Sequence, residues 1–243
     1  MPIKIYELSL DLDLVVRSLG SDPERARPRL RRLCATMIER ARSLLAPTVA
    51  YEIVDLQEVR HDRLVLSPRV SIKGARLVSV VGGAEQIAVA VCTIGPDLEQ
   101  AVSALFASGR PADAAVLDGV GSAAVEELSQ RACREIESIA SQRHLTTSIP
   151  LSPGDPDFSI EEQRTLLSLS HAEALGVTLS DSLLMQPLKS LSMVVGIGRN
   201  LTSGGSPCEV CTLKDVCRYR AMRDVGHLLA GKGQMAEELS SAV

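Results

Sequence analysis

The spacing of apolar and polar positions divides the chain into short helices and strands around one long helix. DLDLVVRSLG reads as a short helix capped by Asp11 and ended by Gly20. A second helix is expected to open at Pro23 and to stop near Leu45, ahead of Pro47. VAYEIVDL alternates as a half-buried strand does, and RLVLS reads as its partner. ARLVSVVGG fits either a short helix or a strand. QIAVAVCTIG is rich in β-formers and apolar at most positions, which predicts a central strand covered on both faces. Pro96 then opens the helix PDLEQAVSALFASG.

The longest helical pattern spans residues 112–142, with Leu117, Val120, Ala124, Leu128 and Ala132 recurring along one face. Gly119 and Gly121 interrupt it at a cost of ~1 kcal/mol each relative to Ala, which implies close approach of another backbone or a ligand. Residues 145–160, LTTSIPLSPGDPDFSI, read as a loop. Ser159 is placed to cap the helix IEEQRTLLSLSHAEAL, with Glu162 completing a capping box and Gly176 ending it. LKSLSMVVGIG predicts a buried strand. A linker at 199–207, a cysteine-rich segment and a helix near 212–230 complete the chain, and no internal repeat is visible. Helices and scattered strands without regular βαβ alternation indicate an α+β fold.

Composition narrows the functional classes. The 243 residues are 45% apolar, enough for one sizeable core, yet they include no Trp, two Phe and three Tyr, so that core is built from Leu, Val, Ile and Ala. So few rings leave little platform for stacking bases, and a net charge of −4 disfavours a phosphate backbone, so no nucleic-acid partner is expected. The one basic stretch, ERARPRLRRLCATMIERAR, interleaves Arg with Leu30, Leu33, Met37 and Ile38 and reads as the solvated face of an amphipathic helix. The N-terminus lacks the apolar core of a signal peptide and no apolar run reaches bilayer length, so a soluble, cytoplasmic protein without membrane contact is expected. In that compartment clustered thiols are metal ligands or redox groups more often than disulfides.

Six cysteines fall into two sets. Cys34, Cys92 and Cys133 are isolated in apolar periodic stretches and read as small buried hydrophobes. Cys208, Cys211 and Cys217 cluster beyond the linker, the first two as C-x2-C. Two thiolates at that spacing can chelate one centre and the third can return to it. Three thiolates leave several readings open: an iron–sulfur cluster with a non-cysteine or exchangeable fourth ligand, a zinc site with His227 as the nearest fourth ligand, or free thiols and a local disulfide. His61, His144 and His171 have no ligand partner at metal spacing, and no hydrolase constellation or phosphate-cradling loop is present.

Three segments together resemble the activation domain of cobalamin-dependent methionine synthase. They are LDGVGSAAVEEL (117–128), SPGDPDFSIEEQ (152–163) and GVTLSDSLLMQPLKSLS (176–192), the last similar to a Leu-Thr-Glu-Ser, Met-x-Pro, Ser-x-Ser pattern. The resemblance covers about residues 75–198, and the cysteine cluster is similar to that of small stand-alone bacterial relatives. It implies a twisted, mainly antiparallel sheet with flanking helices. It divides the chain into an N-terminal segment (1–70) packed on the core, an activation-domain-like core (71–198), and the linker, cysteine segment and final helix (199–243).

The same resemblance implies S-adenosylmethionine as cofactor and a corrinoid protein or cobalamin-dependent methyltransferase as partner, with cobalamin on that partner. The role is reductive methylation of cob(II)alamin during methionine biosynthesis. Chemistry would occur at the partner's cobalt, so no general acid or nucleophile is assigned within this chain. The implied ligand contacts are Asp118 and Glu126 on the helix, Ser152, Pro153, Gly154 and Asp155 in the loop, and Ser182, Lys189, Ser190 and Ser192 in the third segment. Read from the residues alone, the first segment also fits a helix crossing through small residues, the second an ordinary proline-rich turn, and the third a packed strand. Two positions depart from the family pattern: Pro150 replaces an Arg that would pair with a ligand carboxylate, and Asp155 replaces a Tyr that would stack. Cob(II)alamin reduction needs a low-potential electron, which favours an iron–sulfur centre at Cys208, Cys211 and Cys217 over zinc and allows for a reductant protein. The rival reading is a metal-binding or corrinoid-docking module without the methyl donor.

Overall fold

A computed structural model describes residues 3–199 and 201. The elements in chain order are β1 (Ile3–Ile5), α1 (Leu12–Ser18), α2 (Pro28–Ala41), β2 (Thr48–Asp55), β3 (Glu58–Arg60), β4 (Arg63–Ser67), β5 (Val70–Lys73), α3 (Ala75–Val81), β6 (Gln86–Thr93), α4 (Asp97–Ala107), α5 (Pro111–Ser141), β7 (Thr146–Thr147), α6 (Gln163–Ser170), β8 (Thr178–Leu179), β9 (Met185–Gln186) and β10 (Ser190–Gly198). Single 3-10 turns at Ile160–Glu162 and Ala172–Leu175 flank α6. The fold is α+β, as expected, and its main sheet is antiparallel in the order β1-β2-β6-β10-β7.

β6 is the centre of that sheet, paired along its length with β2 on one side and β10 on the other. Its sequence explains this. Ile87, Val89 and Val91 face one side and Ala88, Ala90 and Cys92 the other, all fully buried. The small residues let the 31-residue α5 lie close to the sheet, where Leu117, Val120, Ala124, Leu128 and Ile136 fill the space between. Burying one such Leu or Ile stabilises by roughly 1.5–3 kcal/mol. α1, α2 and α4 complete this layer. The opposite face is covered by α3, α6 and a separate three-stranded sheet, β3-β4-β5, around Leu64, Ile72, Leu77, Phe158 and Leu166.

Several local expectations are realised. Asp11 Oδ1 accepts from the Asp13 and Leu14 N–H groups at 2.7 and 3.1 Å, capping α1. ARLVSVV, which fitted either a helix or a strand, is a helix whose Leu77 and Val81, one turn apart, enter the second core. Other elements differ from the expectation. The second helix begins at Pro28, because Asp22 closes a turn onto Glu24 N–H first. RLVLS does not pair with β2, which lies between β1 and β6; it is the middle strand β4 of the small sheet. The capping box at Ser159 does not close: Ser159 Oγ accepts from Glu161 N–H at 3.2 Å, while Glu162 Oε2 is buried without a hydrogen-bond partner among the described residues. α6 ends at Ser170, six residues before Gly176. Ser170 Oγ folds back onto Leu166 O at 2.8 Å and His171 adopts a left-handed conformation.

Candidate ligand-binding edge

β10 has strand partners on both sides over part of its length and on one side along the rest. Ile197 and Gly198 register with Thr147 and Thr146, and Leu151 bridges Val194 through two hydrogen bonds of 2.8 and 3.0 Å. Much of the stretch read as a loop from residue 145 is thus a broken edge strand. Past Leu151 the chain leaves β10, so the edge of residues 190–193 has no strand partner among the described residues. Val194 and Gly196 direct their backbone groups to this side, and the two-residue alternation of a strand sends those of Ser190 and Ser192 the same way. Ser190 and Leu191 are half-buried along this unpaired edge, and Ser192 and Met193 are buried.

α5 lies along the same half of the strand. Asp118, Ser122 and Glu126 recur every fourth residue and so share a helix face. Lys189, the residue before β10, reaches them: its Nζ lies 2.8 Å from Asp118 Oδ1 and 2.9 Å from Ser122 Oγ. The lysine side chain is 16% exposed and the aspartate 51%, so the carboxylate looks outward and the ammonium sits behind it. The turn before Lys189 is held by α4, where Glu99 Oε2 accepts from Leu188 N–H at 2.8 Å. Further along, Cys133 Sγ approaches Met193 Sδ at 3.5 Å. Burial, with Cys133 and Glu126 adding smaller contributions, pushes the Cys92 thiol far up.

The loop 152–158 flanks the edge from the other side, one residue beyond Leu151. It is closed on itself. Asp155 Oδ2 accepts from Ser152 N–H at 2.9 Å, Asp155 N–H donates to Ser152 O at 3.0 Å, and Gly154 N–H donates to Phe158 O at 2.8 Å. Gly154 is at φ +99°, a conformation that suits glycine. Phe158 anchors the loop in the second core. Asp155 therefore shapes the loop, and its carboxylate is turned inward to do so.

The structure brings Asp118 and Lys189 together, with Glu126 two turns along the same face of α5, and Ser152, Pro153, Gly154 and Asp155 follow Leu151, which bridges β10 at Val194. The serines of the strand use their side chains internally. Ser190 Oγ lies 2.7 Å from Pro187 O and 2.9 Å from Thr93 Oγ1, and buried Ser192 Oγ donates to Gln163 Oε1 on α6. Ser182 sits apart, at the exposed tip of the β8–β9 hairpin, bonded to Ser180. Gly119 and Gly121 serve packing: a Cβ on Gly119 would lie 2.6 Å from Leu19 Cδ2, and one on Gly121 2.7 Å from Leu98 Cδ2 and 3.3 Å from the Lys189 stem. Cys208, Cys211, Cys217 and His227 lie outside the described residues. Among the described residues no three His, Cys, Asp or Glu side chains group closely enough to hold a metal ion, and no helix is long and apolar enough to cross a membrane. Cys34 and Cys92 are buried and Cys133 half-buried, while His61, His144 and His171 are exposed.

One polar cluster escaped the sequence reading. Glu135 on α5 accepts from Tyr6, from Tyr51 at 3.1 Å, and pairs with Lys4. Its four members come from positions 4, 6, 51 and 135, so no local spacing announces it.

The chain matches no protein-family model and no curated protein sequence. It is similar to a solved structure described as the MetH reactivation domain bound to AdoHcy, with a TM-score of 0.64 and 15% sequence identity over 84% of this chain and 80% of that one. That likeness establishes a shared fold, the same one that the three sequence segments had implied.

Proposed function

We propose that the protein is an accessory of corrinoid-dependent methyl transfer that binds S-adenosylmethionine along the open edge of β10 and docks on a corrinoid protein to support reductive methylation of cob(II)alamin. The observation that supports this reading is the Asp118–Lys189 pair at the start of a strand whose edge has no strand partner among the described residues, in a fold similar to one solved with AdoHcy. In this reading the α5 carboxylates take the cationic and hydroxyl groups of the ligand and the backbone of Ser190 at the open edge takes part of its polar rim. The methyl group would pass from the sulfonium to the partner's cobalt, and this chain's contribution would be to hold and orient the donor. An iron–sulfur centre at Cys208, Cys211 and Cys217 would supply the low-potential electron that the reduction needs.

Calorimetry on the full chain tests the reading. Micromolar binding of S-adenosylmethionine, lost in Asp118→Ala, supports it, and no heat up to millimolar ligand overturns it. Asp155 favours a second reading, because a carboxylate folded onto Ser152 N–H fills the position where the family pattern has an aromatic ring. The protein would then be a metal-binding or corrinoid-docking module without the methyl donor. A broad visible absorption in anaerobically purified protein, abolished by Cys208→Ala, is the mark of the iron–sulfur centre, whereas a colourless, zinc-containing protein rules it out.

A further inference from the structure

We propose that the Asp118–Lys189 pair is a receptor for the zwitterionic α-amino-acid end of the ligand, with Lys189 as the specificity-determining cation; the inference rests on the reading that an adenosyl thioether or sulfonium binds at this edge. A carboxylate and an ammonium held side by side match an α-amino acid, which presents the same two charges in reverse. The geometry is built rather than incidental. Both the Cγ and the Cε of Lys189 pack over Gly121, where an added Cβ would lie 3.3 Å from each. Its carbonyl accepts from Ile94 N–H at 3.2 Å, so the backbone is fixed as well as the stem. Lys189 has three N–H donors, and two are directed at Asp118 Oδ1 and Ser122 Oγ. The third is left for a ligand carboxylate, and the half-exposed Asp118 can accept from a ligand ammonium.

The arrangement also follows from the cost of a buried charge. A lysine so far from water is retained where a fixed anion compensates it, and that same anion aligns its remaining donor. A surface ion pair with both partners in solvent, such as Arg25 with Asp22, has no such constraint.

The test compares two ligands that share the adenosyl thioether and differ in the amino-acid end: S-adenosylhomocysteine and 5′-methylthioadenosine. Their affinities are measured by calorimetry for the full chain and for the variants Lys189→Gln and Asp118→Asn, which keep side-chain shape and remove one charge each. Loss of a charge-assisted hydrogen bond is expected to weaken S-adenosylhomocysteine about ten- to a hundredfold and to leave 5′-methylthioadenosine unchanged. A purely structural Lys189 would weaken both ligands alike, and that result overturns the inference, as does an unchanged ratio in either variant. Two variants keep the test decisive if one of them fails to fold. If neither ligand binds the unaltered chain, the ligand reading itself fails along with the inference, which separates that outcome from an altered or unaltered ratio.

Discussion

Gly121 and Lys189 show how much a single position decides here. A glycine inside a long helix is unfavourable by itself, and this one is retained because Leu98 and the lysine stem occupy the place of its side chain. Gly121→Val is therefore expected to destabilise the protein by roughly 1–3 kcal/mol, read as a fall in the urea midpoint. Leu98 is fully buried and cannot turn away, unlike half-exposed Leu19 opposite Gly119. The sequence showed that both glycines were paid for by something. It did not show by what, since Leu98 and Lys189 are 23 and 68 residues distant.

At the level of elements, the Glu135 cluster fastens β1 and β2 to α5. Burial pushes Glu135 up, but the bonds from Lys4, Tyr6 and Tyr51 outweigh it and leave the carboxyl below its usual value. Tyr51 is pushed up to about 12 by burial and by the charge and hydrogen bond of Glu135, and Tyr6 is raised for the same reasons. The signs are opposite at the two ends of the pH scale. A lowered carboxyl contributes stability that is present above the ordinary carboxylate range and lost as pH falls through its folded value. A raised phenol contributes stability that is present below the usual tyrosine value of 10.0 and lost as pH climbs through about 12. The alkaline unfolding limb is expected to flatten in Tyr51→Phe, followed by circular dichroism against pH. An unchanged limb contradicts the assignment.

For the molecule as a whole, the first seventy residues and the following stretch share one sheet. β2 pairs with β6 from Thr48–Thr93 to Asp55–Gln86, and Val15, Val16, Cys34, Met37, Val49 and Tyr51 enter the same core as α5. A fragment of residues 71–198 would leave β6 with one bare edge and the helical layer without α1 and α2. It is expected to lack the cooperative unfolding transition of the full chain, and a sharp transition in that fragment would contradict this. The likeness to the solved reactivation domain extends over 84% of the chain, more than this core segment alone.

Local signals account for what could be read in advance. Asp11 caps its helix through its neighbours two and three residues on, and QIAVAVCTIG is a central strand whose residues Ile87 to Cys92 are apolar on both faces. The α+β class, the long helix and the buried final strand follow from periodicity in the same way. Tertiary structure decided what depends on distant partners. RLVLS went to a second sheet between β3 and β5, and the chain turns away after Leu151, leaving β10 without a strand partner ahead of Val194 among the described residues. The pairing of Lys189 with Asp118 and the grouping of Tyr6, Tyr51 and Glu135 join residues tens to more than a hundred positions apart. Periodicity records which face of an element is buried; which element covers that face is settled only when the chain closes on itself.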